Sequence, residues 1–597
     1  MKLKKVLIVG NGISGLASAL RCMQNGMQVL LASPFPPERT QSVMAAGGIN
    51  AVLTEREAEG SGLSGDGDCV ALHIEDTLQA GANLGGRQAV TGLCTCAEEI
   101  ICELERMGTV FSTDETGAPA RRDFGGHSRR RTCYCGTSTG KQIVTALSME
   151  IRRYEAEGRL IRMEGYHFYS GLIHDGICYG ALLYSDRMQD LEAVYADAVV
   201  IAAGGMNALF GKTTGSVLCD GYAAGRLFMQ GVELKNLEFI QYHPTTLETA
   251  QKRILISEAA RGEGGRLFYR KEDSQTAGDD DSDRVYFMEE KYGPGGNLMT
   301  RDVTSREIAA VGKQVYLDLS FLGEELIDRR LPEVRDVCRK FGNIDIAVEP
   351  VPVAPAVHFF MGGIAVHLNH ETAIRNLYAV GECASMYHGA NRLGGNSTLS
   401  ALYSGRLAAD SIADRMETKS EMQLPKSSED TGSHIPEAMG EVRREASEKR
   451  SDAGHPDFTE QIERERRRLQ QCSETESRFP VMYIRDLLAE TMNHSLGMIR
   501  NGKELEQGIA EVSYYQSVSE HLRYDSSVSA YENYSLEGIL AAAKATLVCA
   551  AARRESRGAH YRSDYPETDD RCGYATIVSW ADGDCRVRQD VDFEYEK

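Results

Sequence analysis

The chain has 597 residues, more than a single hydrophobic core usually organises, so two or three domains are expected. Its 66 basic and 87 acidic side chains give a formal net charge of -21, which argues against nucleic acid as a partner and against direct binding to an anionic membrane. The 15 cysteines are scattered, without an iron-sulfur motif, and no apolar run reaches the roughly 18 residues of a membrane span. We therefore expect a cytoplasmic chain with reduced thiols and no metal site.

The first predicted elements are a strand and a helix joined by a glycine-rich turn. The segment KKVLIVGNGISGLASAL runs from an apolar strand through Gly10, Gly12 and Gly15 into a helical pattern. Glycines at this spacing allow a tight turn and let a pyrophosphate approach the helix N-terminus, which favours anions, so this turn predicts a dinucleotide site. The next strand ends in Ser33, where an acid usually holds the ribose, and a hydroxyl contact is expected instead.

Two more strands run into glycine pairs far along the chain. One lies in residues 196–210 and the other in residues 377–380. Together with the first strand they predict one parallel sheet assembled from distant segments, with a ligand across the carboxyl ends of its strands. Most of the chain between the second and third strands is then an insertion. The cofactor candidates at these junctions are Gly204, Gly205, Glu382, Asn396 and Ser397.

The chain changes character after residue 414. Residues 415–470 are charged and poor in apolar residues, which indicates a linker or an exposed excursion, with residues 459–470 as a helix whose charged face is solvated. Helical periodicity returns near residue 479. Residues 574–597 have the pattern of a strand hairpin that could dock on a partner.

Eight strings, in order along the chain, carry a family resemblance. They are AAGGINAV (45–52), FGGHS (124–128), EFIQYHPT (238–245), SEAARGEGG (257–265), TRDVTSR (300–306), HFFMGGI (358–364), HGANRLGGNS (388–397) and ESRGAHYRSDYP (555–566). On these strings the sequence resembles the flavoprotein subunits of succinate dehydrogenase and fumarate reductase, and their relative L-aspartate oxidase, over nearly its whole length.

The resemblance implies an α/β fold, in which a Rossmann-like FAD-binding domain is interrupted by an α+β capping domain and followed by a helical C-terminal domain. The implied bounds are 1–235 and 353–414 for the FAD-binding domain, 236–352 for the capping domain, 415–470 for the charged linker, 471–570 for the helical domain and 571–597 for the tail. The implied FAD contacts also include Gly47, Gly48, Asp220 and Leu399, with Glu382 on the ribityl chain and Asn396 and Ser397 at the isoalloxazine end.

The family chemistry accounts for the acid and guanidinium groups placed together in ISEAARGEGG. Exchanging a hydride between flavin N5 and one carbon of succinate or fumarate requires a proton transfer at the adjacent carbon. The resemblance gives this acid/base role to Arg301, whose guanidinium normally stays charged and must act within a relay. Glu258 and Arg261 match the rest of that relay, which we expect to lead to solvent.

The resemblance also implies a clamp for two carboxylates. Such a clamp favours arginine for bidentate pairing, and histidine or hydroxyl groups as further donors. The matching positions are His243, Ser257, His358 and Arg392, with serine where many relatives have threonine. The same clamp leaves open another unsaturated carboxylate as the substrate.

Two positions depart from the family pattern. Membrane-bound relatives carry a covalent flavin bond on a histidine six residues before the glycine pair. Here that residue is Gln41, so we expect non-covalent FAD and a flavin potential that favours fumarate reduction. L-aspartate oxidase has a glutamate just before GGHS that can pair with the substrate ammonium, and here that residue is Phe124. A buried ammonium without a partner costs on the order of several kcal/mol, which favours an uncharged C4 backbone, although Asp123 could restore the contact if its loop shifted.

Three functions therefore stay open. The first is a succinate/fumarate oxidoreductase that exchanges electrons with a separate iron-sulfur subunit, because the chain has no cluster motif of its own. Such partners could hold it at the inner face of the cytoplasmic membrane. The second is L-aspartate oxidase, against which Phe124 argues. The third is a flavin-binding protein without dicarboxylate turnover, against which Arg301, His358 and Arg392 argue.

Overall fold

The computed structural model describes residues 3–53, 67–136, 138–271, 283–421, 456–474, 480–519 and 528–590. Its strands are β1 Lys5–Val9, β2 Gln28–Ser33, β3 Ile49–Asn50, β4 Arg121–Arg122, β5 Thr132–Cys133, β6 Leu160–Glu164, β7 Tyr166–His174, β8 Ile177–Ser185, β9 Asp190–Tyr195, β10 Ala198–Ile201, β11 Leu234–Lys235, β12 Ile240–Glu248, β13 Arg253–Leu255, β14 Arg266–Arg270, β15 Arg284–Val285, β16 Val315–Asp318, β17 Val351–Phe360, β18 Gly363–Ala365, β19 Leu377–Ala379, β20 Ala384–Ser385, β21 Ala575–Ala581 and β22 Asp584–Asp590. Its α-helices are α1 Ile13–Gln24, α2 Val70–Ala80, α3 Arg87–Thr95, α4 Ala97–Arg106, α5 Thr139–Ala156, α6 Tyr222–Met229, α7 Ala259–Gly262, α8 Phe287–Tyr292, α9 Arg301–Val311, α10 Glu324–Arg330, α11 Pro332–Gly342, α12 Asn396–Glu421, α13 Thr459–Glu474, α14 Val481–Ser495, α15 Gly502–Ser519 and α16 Ala530–Ala552.

A five-stranded parallel sheet, in the order β19-β10-β1-β2-β6, forms the dinucleotide-binding half. Val6, Leu7 and Ile8 of its central strand are fully buried. Strands that are covered on both faces consist of continuous apolar residues, and this explains why the sequence pattern revealed them. Because β1, β10 and β19 are neighbours, the three predicted strand-to-glycine junctions meet at one edge of the sheet. The predicted α/β class is confirmed.

The insertion between β10 and β19 contains a second sheet of six strands, in the order β13-β12-β17-β16-β14-β15. Helices α7 to α11 lie in this insertion, and Leu267, Leu317 and Val351 are among the buried residues of its own core. Strands β12 and β17 pair antiparallel, from Ile240 opposite Phe360 to Thr246 opposite Ala354. The predicted end of the capping domain at residue 352 falls inside β17, so the two regions share this strand. The domain bounds themselves stay predictions.

The helices after residue 456 pack against the dinucleotide-binding half. Helix α16 crosses α6 so closely that a Cβ atom built on Gly225 would lie 1.9 Å from the carbonyl oxygen of Gly538. By length and composition α16 could span a membrane, but 78% of its most apolar window is buried inside the protein. Helix α13 has exposed charged residues, as predicted, and it also has a packed side, where Glu465 is buried and pairs with Arg226 at 2.8 Å. Most of the predicted linker, residues 422–455, lies outside the described residues.

The predicted C-terminal hairpin is present, and it joins a sheet of this chain. Strands β21 and β22 pair antiparallel, and β21 also pairs with β11, in the sheet β20-β18-β11-β21-β22. Strand β22 forms the edge of that sheet. Residues 591–597, the remainder of the predicted tail, lie outside the described residues.

A buried ion-pair network ties the hairpin and the end of α16 to the start of β12. Arg553 and Glu238 are both fully buried, with Nε and Oε1 2.6 Å apart, and Arg553 also pairs with Glu555 at 2.8 Å. The guanidinium donates in addition to the carbonyl oxygen of Tyr574 and the hydroxyl of Thr576. The string ESRGAHYRSDYP thus supplies part of a structural junction.

Removing Arg553 should leave the buried carboxylate of Glu238 without its cation, whereas Glu555 keeps Arg557 as a partner. We expect Arg553→Ala to destabilise the protein by about 3–5 kcal/mol, the usual cost of breaking a buried ion pair. The matched control is Arg588→Ala, which removes a half-exposed arginine that pairs with Glu233 and should cost under about 1 kcal/mol. Calorimetric melting temperatures check this, and equal temperatures for the two variants would contradict it.

Candidate active site

The glycine-rich turn forms a cradle at the end of β1. Gly10 has φ of +103°, and a Cβ atom there would lie 2.3 Å from the carbonyl oxygen of Ala202 at the end of β10. A Cβ atom on Gly15 would lie 2.0 Å from the carbonyl oxygen of Gly10, so α1 packs directly on the turn. Helix α1 begins after Gly12, which has no side chain to cap it, and the N–H of Ile13 donates to the hydroxyl of Ser42 at 3.0 Å. Its first N–H groups and its dipole therefore favour an anion at this position.

One cavity of about 630 Å³ runs from this cradle to the predicted catalytic residues. Its wall includes most of the predicted cofactor contacts, namely Gly10, Gly12, Ser33, Gly47, Gly48, Gly204, Gly205, Asp220, Glu382 and Ser397. It also includes His243, Ser257, Glu258, Arg301, His358, Arg392 and Phe124. The fold thus brings the two predicted sets of residues together in one cavity.

Two buried polar atoms in the cavity wall suit a large polar ligand. Asn11 Oδ1 and Gln41 Oε1 have no hydrogen-bond partner within the described part of the chain, and both residues line the cavity. Buried polar atoms are nearly always hydrogen-bonded in folded proteins, so these atoms suit a ligand with its own donors. The N-terminus of α1 supplies donors for a pyrophosphate. The residues present therefore fit FAD.

Glu382 and Asp220 are two acids in the cavity wall. The backbone N–H of Phe360 donates to Glu382 at 3.0 Å, and burial raises the pKa of Glu382 to about 7. Asp220 accepts a hydrogen bond from the hydroxyl of Tyr531 at 2.9 Å, and burial raises its pKa as well. A ligand hydroxyl that donates a hydrogen bond, such as one on a ribose or a ribityl chain, would stabilise the ionised form of each carboxyl group.

Asn396 and Leu399 do not line the cavity, although both were predicted to contact the cofactor. Asn396 is fully buried and hydrogen-bonds with Asn50 and Thr77. Leu399 is fully buried in the core between α1 and α12. Both lie at the start of α12, where helical geometry turns successive side chains away from the ligand. Ser33 does line the cavity, but its hydroxyl donates to the carbonyl oxygen of Phe35 at 2.8 Å.

Glu258 is held between two arginines. Oε2 of Glu258 accepts hydrogen bonds from Nε and Nη2 of Arg301 at 2.9 and 2.7 Å, and its Oε1 lies 3.2 Å from Nη2 of Arg261. Burial opposes ionisation of Glu258, but the two guanidinium charges outweigh it and lower the pKa to about 2. The carboxylate is therefore ionised at any working pH.

The predicted relay reaches Arg261 but not the solvent. Arg261 is 1% exposed and donates from Nη1 to the carbonyl oxygen of Asn297 at 2.7 Å. Arg301 lines the cavity and Arg261 does not. The order from the cavity inward is thus Arg301, Glu258 and Arg261. All three are buried, so these residues alone do not connect the cavity to solvent.

The predicted carboxylate clamp lies beside this trio, because Arg392 and Arg301 share Gln241 as a partner. The rings of His243 and His358 are 5.3 Å apart, and burial together with the charge of Arg301 lowers the pKa of both well below the usual value. Both imidazoles are therefore neutral. The guanidinium of Arg392 lies 4.4 Å from the ring centre of Phe359, and burial and Arg301 lower its pKa.

Gln241 joins the clamp to the trio, and the sequence analysis missed it. Its Oε1 accepts from Nη1 of Arg301 at 3.0 Å and from Nη2 of Arg392 at 2.9 Å. Its Nε2 donates to the side chain of Asn391 and to the carbonyl oxygen of Arg392. Strand periodicity could have found Gln241, because it lies two residues before His243 in β12 and so points to the same side.

Phe124 forms an apolar part of the wall. It is 3% exposed, and its ring lies 3.4 Å from where a Cβ atom of Gly47 would be. Its neighbour Asp123 pairs with Arg130 at 2.7 Å and does not line the cavity. Among the described residues, no group of three or more His, Cys, Asp or Glu side chains could hold a metal ion.

Comparisons with known proteins give the class of this fold and site. Residues 5–398 match the family model described as FAD binding domain, and residues 485–597 match the model described as fumarate reductase flavoprotein C-term. The chain belongs to the succinate dehydrogenase and fumarate reductase flavoprotein family, whose members are FAD-dependent oxidoreductases.

Three relatives cover nearly the whole chain. It is 34% identical to the succinate dehydrogenase flavoprotein subunit of Bacillus subtilis, covering 96% of this chain and 92% of that one. It is 31% identical to the fumarate reductase flavoprotein subunit of Mycobacterium tuberculosis, covering 98% and 96%. Its fold matches a variant of the E. coli quinol fumarate reductase flavoprotein with a TM-score of 0.80 and 27% identity, covering 100% and 98%. None of these three is an L-aspartate oxidase.

The cradle can be tested with one methyl group. Gly10→Ala places a Cβ atom against the carbonyl oxygen of Ala202, so we expect protein that is purified without bound flavin. Gly26→Ala is the matched control, because Gly26 also has a positive φ of +80° but has nothing within 4 Å of its Cβ position. Flavin absorbance per protein checks the prediction, and full flavin content in Gly10→Ala would contradict it.

Proposed function

We propose that the chain interconverts fumarate and succinate with bound FAD. The observation that carries this proposal is Arg392, a buried cation that lines the cavity and whose Nε has no partner in the described part of the chain. Burial and the charge of Arg301 lower its pKa by more than Glu382 and Glu258 raise it. A substrate carboxylate would supply an anion in the bidentate geometry that arginine favours.

The charges of the site favour a dianion. Arg301, Arg261 and Arg392 are three buried cations, and Glu258 is the carboxylate that pairs with two of them. Neutral His243 and His358 add donors without adding charge. A C4 dicarboxylate brings two negative charges, which match the two positive charges left over. The relatives' names, succinate dehydrogenase and fumarate reductase, agree with such a substrate.

The proposed chemistry divides between the bound flavin and the side chains of the site. Bound FAD supplies the hydride donor and acceptor at N5. In fumarate reduction, His243, His358, Ser257 and Arg392 hold the two carboxylates, and Arg301 gives a proton to the carbon next to the one that receives the hydride. Glu258 orients Arg301 through two hydrogen bonds. Because Glu258 is ionised at rest, the proton that restores Arg301 crosses Glu258 only transiently, in a relay that draws it from Arg261, and Arg261 is in turn reprotonated from solvent. Succinate oxidation uses the same residues in reverse.

The wall beside the substrate supports an uncharged C4 backbone. Phe124 offers no partner to an ammonium group, and burying one unpaired would cost on the order of several kcal/mol. Asp123 would have to break its ion pair with Arg130 to compensate. Aspartate is therefore disfavoured as the substrate.

Electrons would pass to or from a separate iron-sulfur subunit. The relatives are named flavoprotein subunits, which supports a role as one part of a larger complex. Through such a complex the chain would lie at the inner face of the cytoplasmic membrane. We further propose non-covalent FAD, because Gln41 stands at the position of the covalent histidine and an amide does not form that bond.

Arg301→Ala tests the acid/base assignment. We expect fumarate reduction to fall by about 10²–10⁴-fold, the usual contribution of a general acid, while FAD stays bound. The matched control is Arg306→Ala on the same helix, whose guanidinium lies over the ring of Tyr561 at 4.8 Å. Steady-state rates with a reduced dye as electron donor measure both variants, and an unchanged rate in Arg301→Ala would show that another group is the acid.

Acid precipitation tests the mode of FAD attachment. If Gln41 excludes a covalent bond, all of the flavin should remain in the supernatant after the denatured protein is removed. The measurement is flavin fluorescence in the supernatant and in the washed pellet. Flavin that stays in the pellet would contradict non-covalent attachment.

A further inference from the structure

Thr214 lies beside His358 in the wall of the cavity. Its hydroxyl oxygen is 2.8 Å from Nδ1 of His358 and 3.2 Å from the carbonyl oxygen of Val357. Thr214 is buried and lines the same cavity as His358. A hydroxyl has one hydrogen, so Thr214 can donate to only one of these two acceptors at a time.

The direction of this hydrogen bond sets the tautomer of His358. If Thr214 donates to Nδ1, the single hydrogen of the neutral imidazole is on Nε2, and Nε2 can donate to a carboxylate. If Thr214 donates to Val357 instead, it accepts from Nδ1, and Nε2 presents a lone pair that repels a carboxylate. The carbonyl oxygen of Val357 already accepts the backbone N–H of Thr214 at 3.2 Å. This leaves the hydroxyl available for the closer acceptor, Nδ1.

We propose that Thr214 is a positioning residue that holds His358 in the tautomer with hydrogen on Nε2, and so makes a neutral imidazole a donor to the substrate carboxylate. This inference rests on the proposed function, in which His358 binds a carboxylate. It adds a residue that neither the motifs nor the relay identified.

The surroundings of His358 make the tautomer matter. Burial, with the charge of Arg301, lowers the pKa of His358 well below the usual value, so the ring has one hydrogen and not two. The titratable and charged groups that face it are Arg301 from α9, His243 from β12, Arg392 from the loop before α12, and Glu258 from the segment before α7.

The loop that carries Thr214 is fixed on both sides. Asn207 donates from Nδ2 to the carbonyl oxygen of His358 at 3.0 Å, and the N–H of Arg253 donates to the carbonyl oxygen of Thr213 at 3.1 Å. The neighbouring Thr213 uses its hydroxyl differently, as the acceptor for the N–H of Gly215. Thr213 therefore provides a control in the same loop that does not contact the ring.

The test is malonate binding to the FAD-loaded protein by calorimetry at pH 6 and pH 8. Malonate is a dicarboxylate with a single methylene, so it has no CH–CH bond to oxidise. We expect Thr214→Val to weaken binding about tenfold at pH 8, because Nδ1 loses its donor. Losing that donor also raises the pKa of His358, because the bond favours the neutral ring. The loss should therefore be smaller at pH 6 than at pH 8, because a larger share of the variant's rings is protonated at the lower pH and an imidazolium can donate from both nitrogens.

Two further variants separate positioning from damage to the loop. Thr214→Ser keeps the hydroxyl and should bind malonate as the unsubstituted protein does, and Thr213→Val should also bind it unchanged. Equal affinity in Thr214→Val, or a loss that Thr213→Val shares and that does not vary with pH, would overturn the inference alone. If the unsubstituted protein binds neither malonate nor succinate, the proposed function fails and the inference fails with it.

Discussion

The site depends on a buried carboxylate held between two buried guanidinium groups. Glu258 fixes Arg301 through two hydrogen bonds and pairs with Arg261 on its other side. Without Glu258, two cations would be buried without compensation, at a cost of several kcal/mol. With it, Arg301 has a fixed direction toward the cavity and a neighbour that can exchange a proton with it. Gln241 extends this order to Arg392, since both arginines donate to its Oε1.

The fold assembles this cluster from two bodies that share long strands. Glu258, Arg261 and Arg301 belong to the insertion, whereas the glycine cradle, Glu382 and the loop of Arg392 belong to the dinucleotide-binding half. Strands β12 and β17 run between them and carry His243 and His358. The residues proposed to transfer protons and the residues proposed to hold the cofactor thus line the same cavity. Any motion of the insertion would change the distance between them, and with it the alignment that transfer of a hydride and a proton requires.

The sequence predicted the parts of this arrangement that leave local patterns. Buried parallel strands appear in the sequence as apolar runs, and Gly10 and Gly204 mark the turns after two of them. These patterns were enough to predict the sheet and the edge at which its ligand binds. The sequence could not give the direction of a side chain or the distance between segments. Asn396 and Leu399 are in the right segment, but α12 turns their side chains into the core. Thr214 has no motif, and only the fold brings its loop to His358. The charge of α13 predicted its solvated face but not the buried pair of Glu465 with Arg226.

The most direct test of the central claim is anaerobic. The FAD-loaded protein is reduced chemically and mixed with fumarate, while a separate oxidised sample receives aspartate, and the flavin absorbance is followed in both. Rapid return of the oxidised flavin spectrum with fumarate, and no bleaching by aspartate, is the result that a clamp for an uncharged C4 backbone predicts. Bleaching of the oxidised flavin by aspartate, or reduced flavin that fumarate does not reoxidise, would contradict this account.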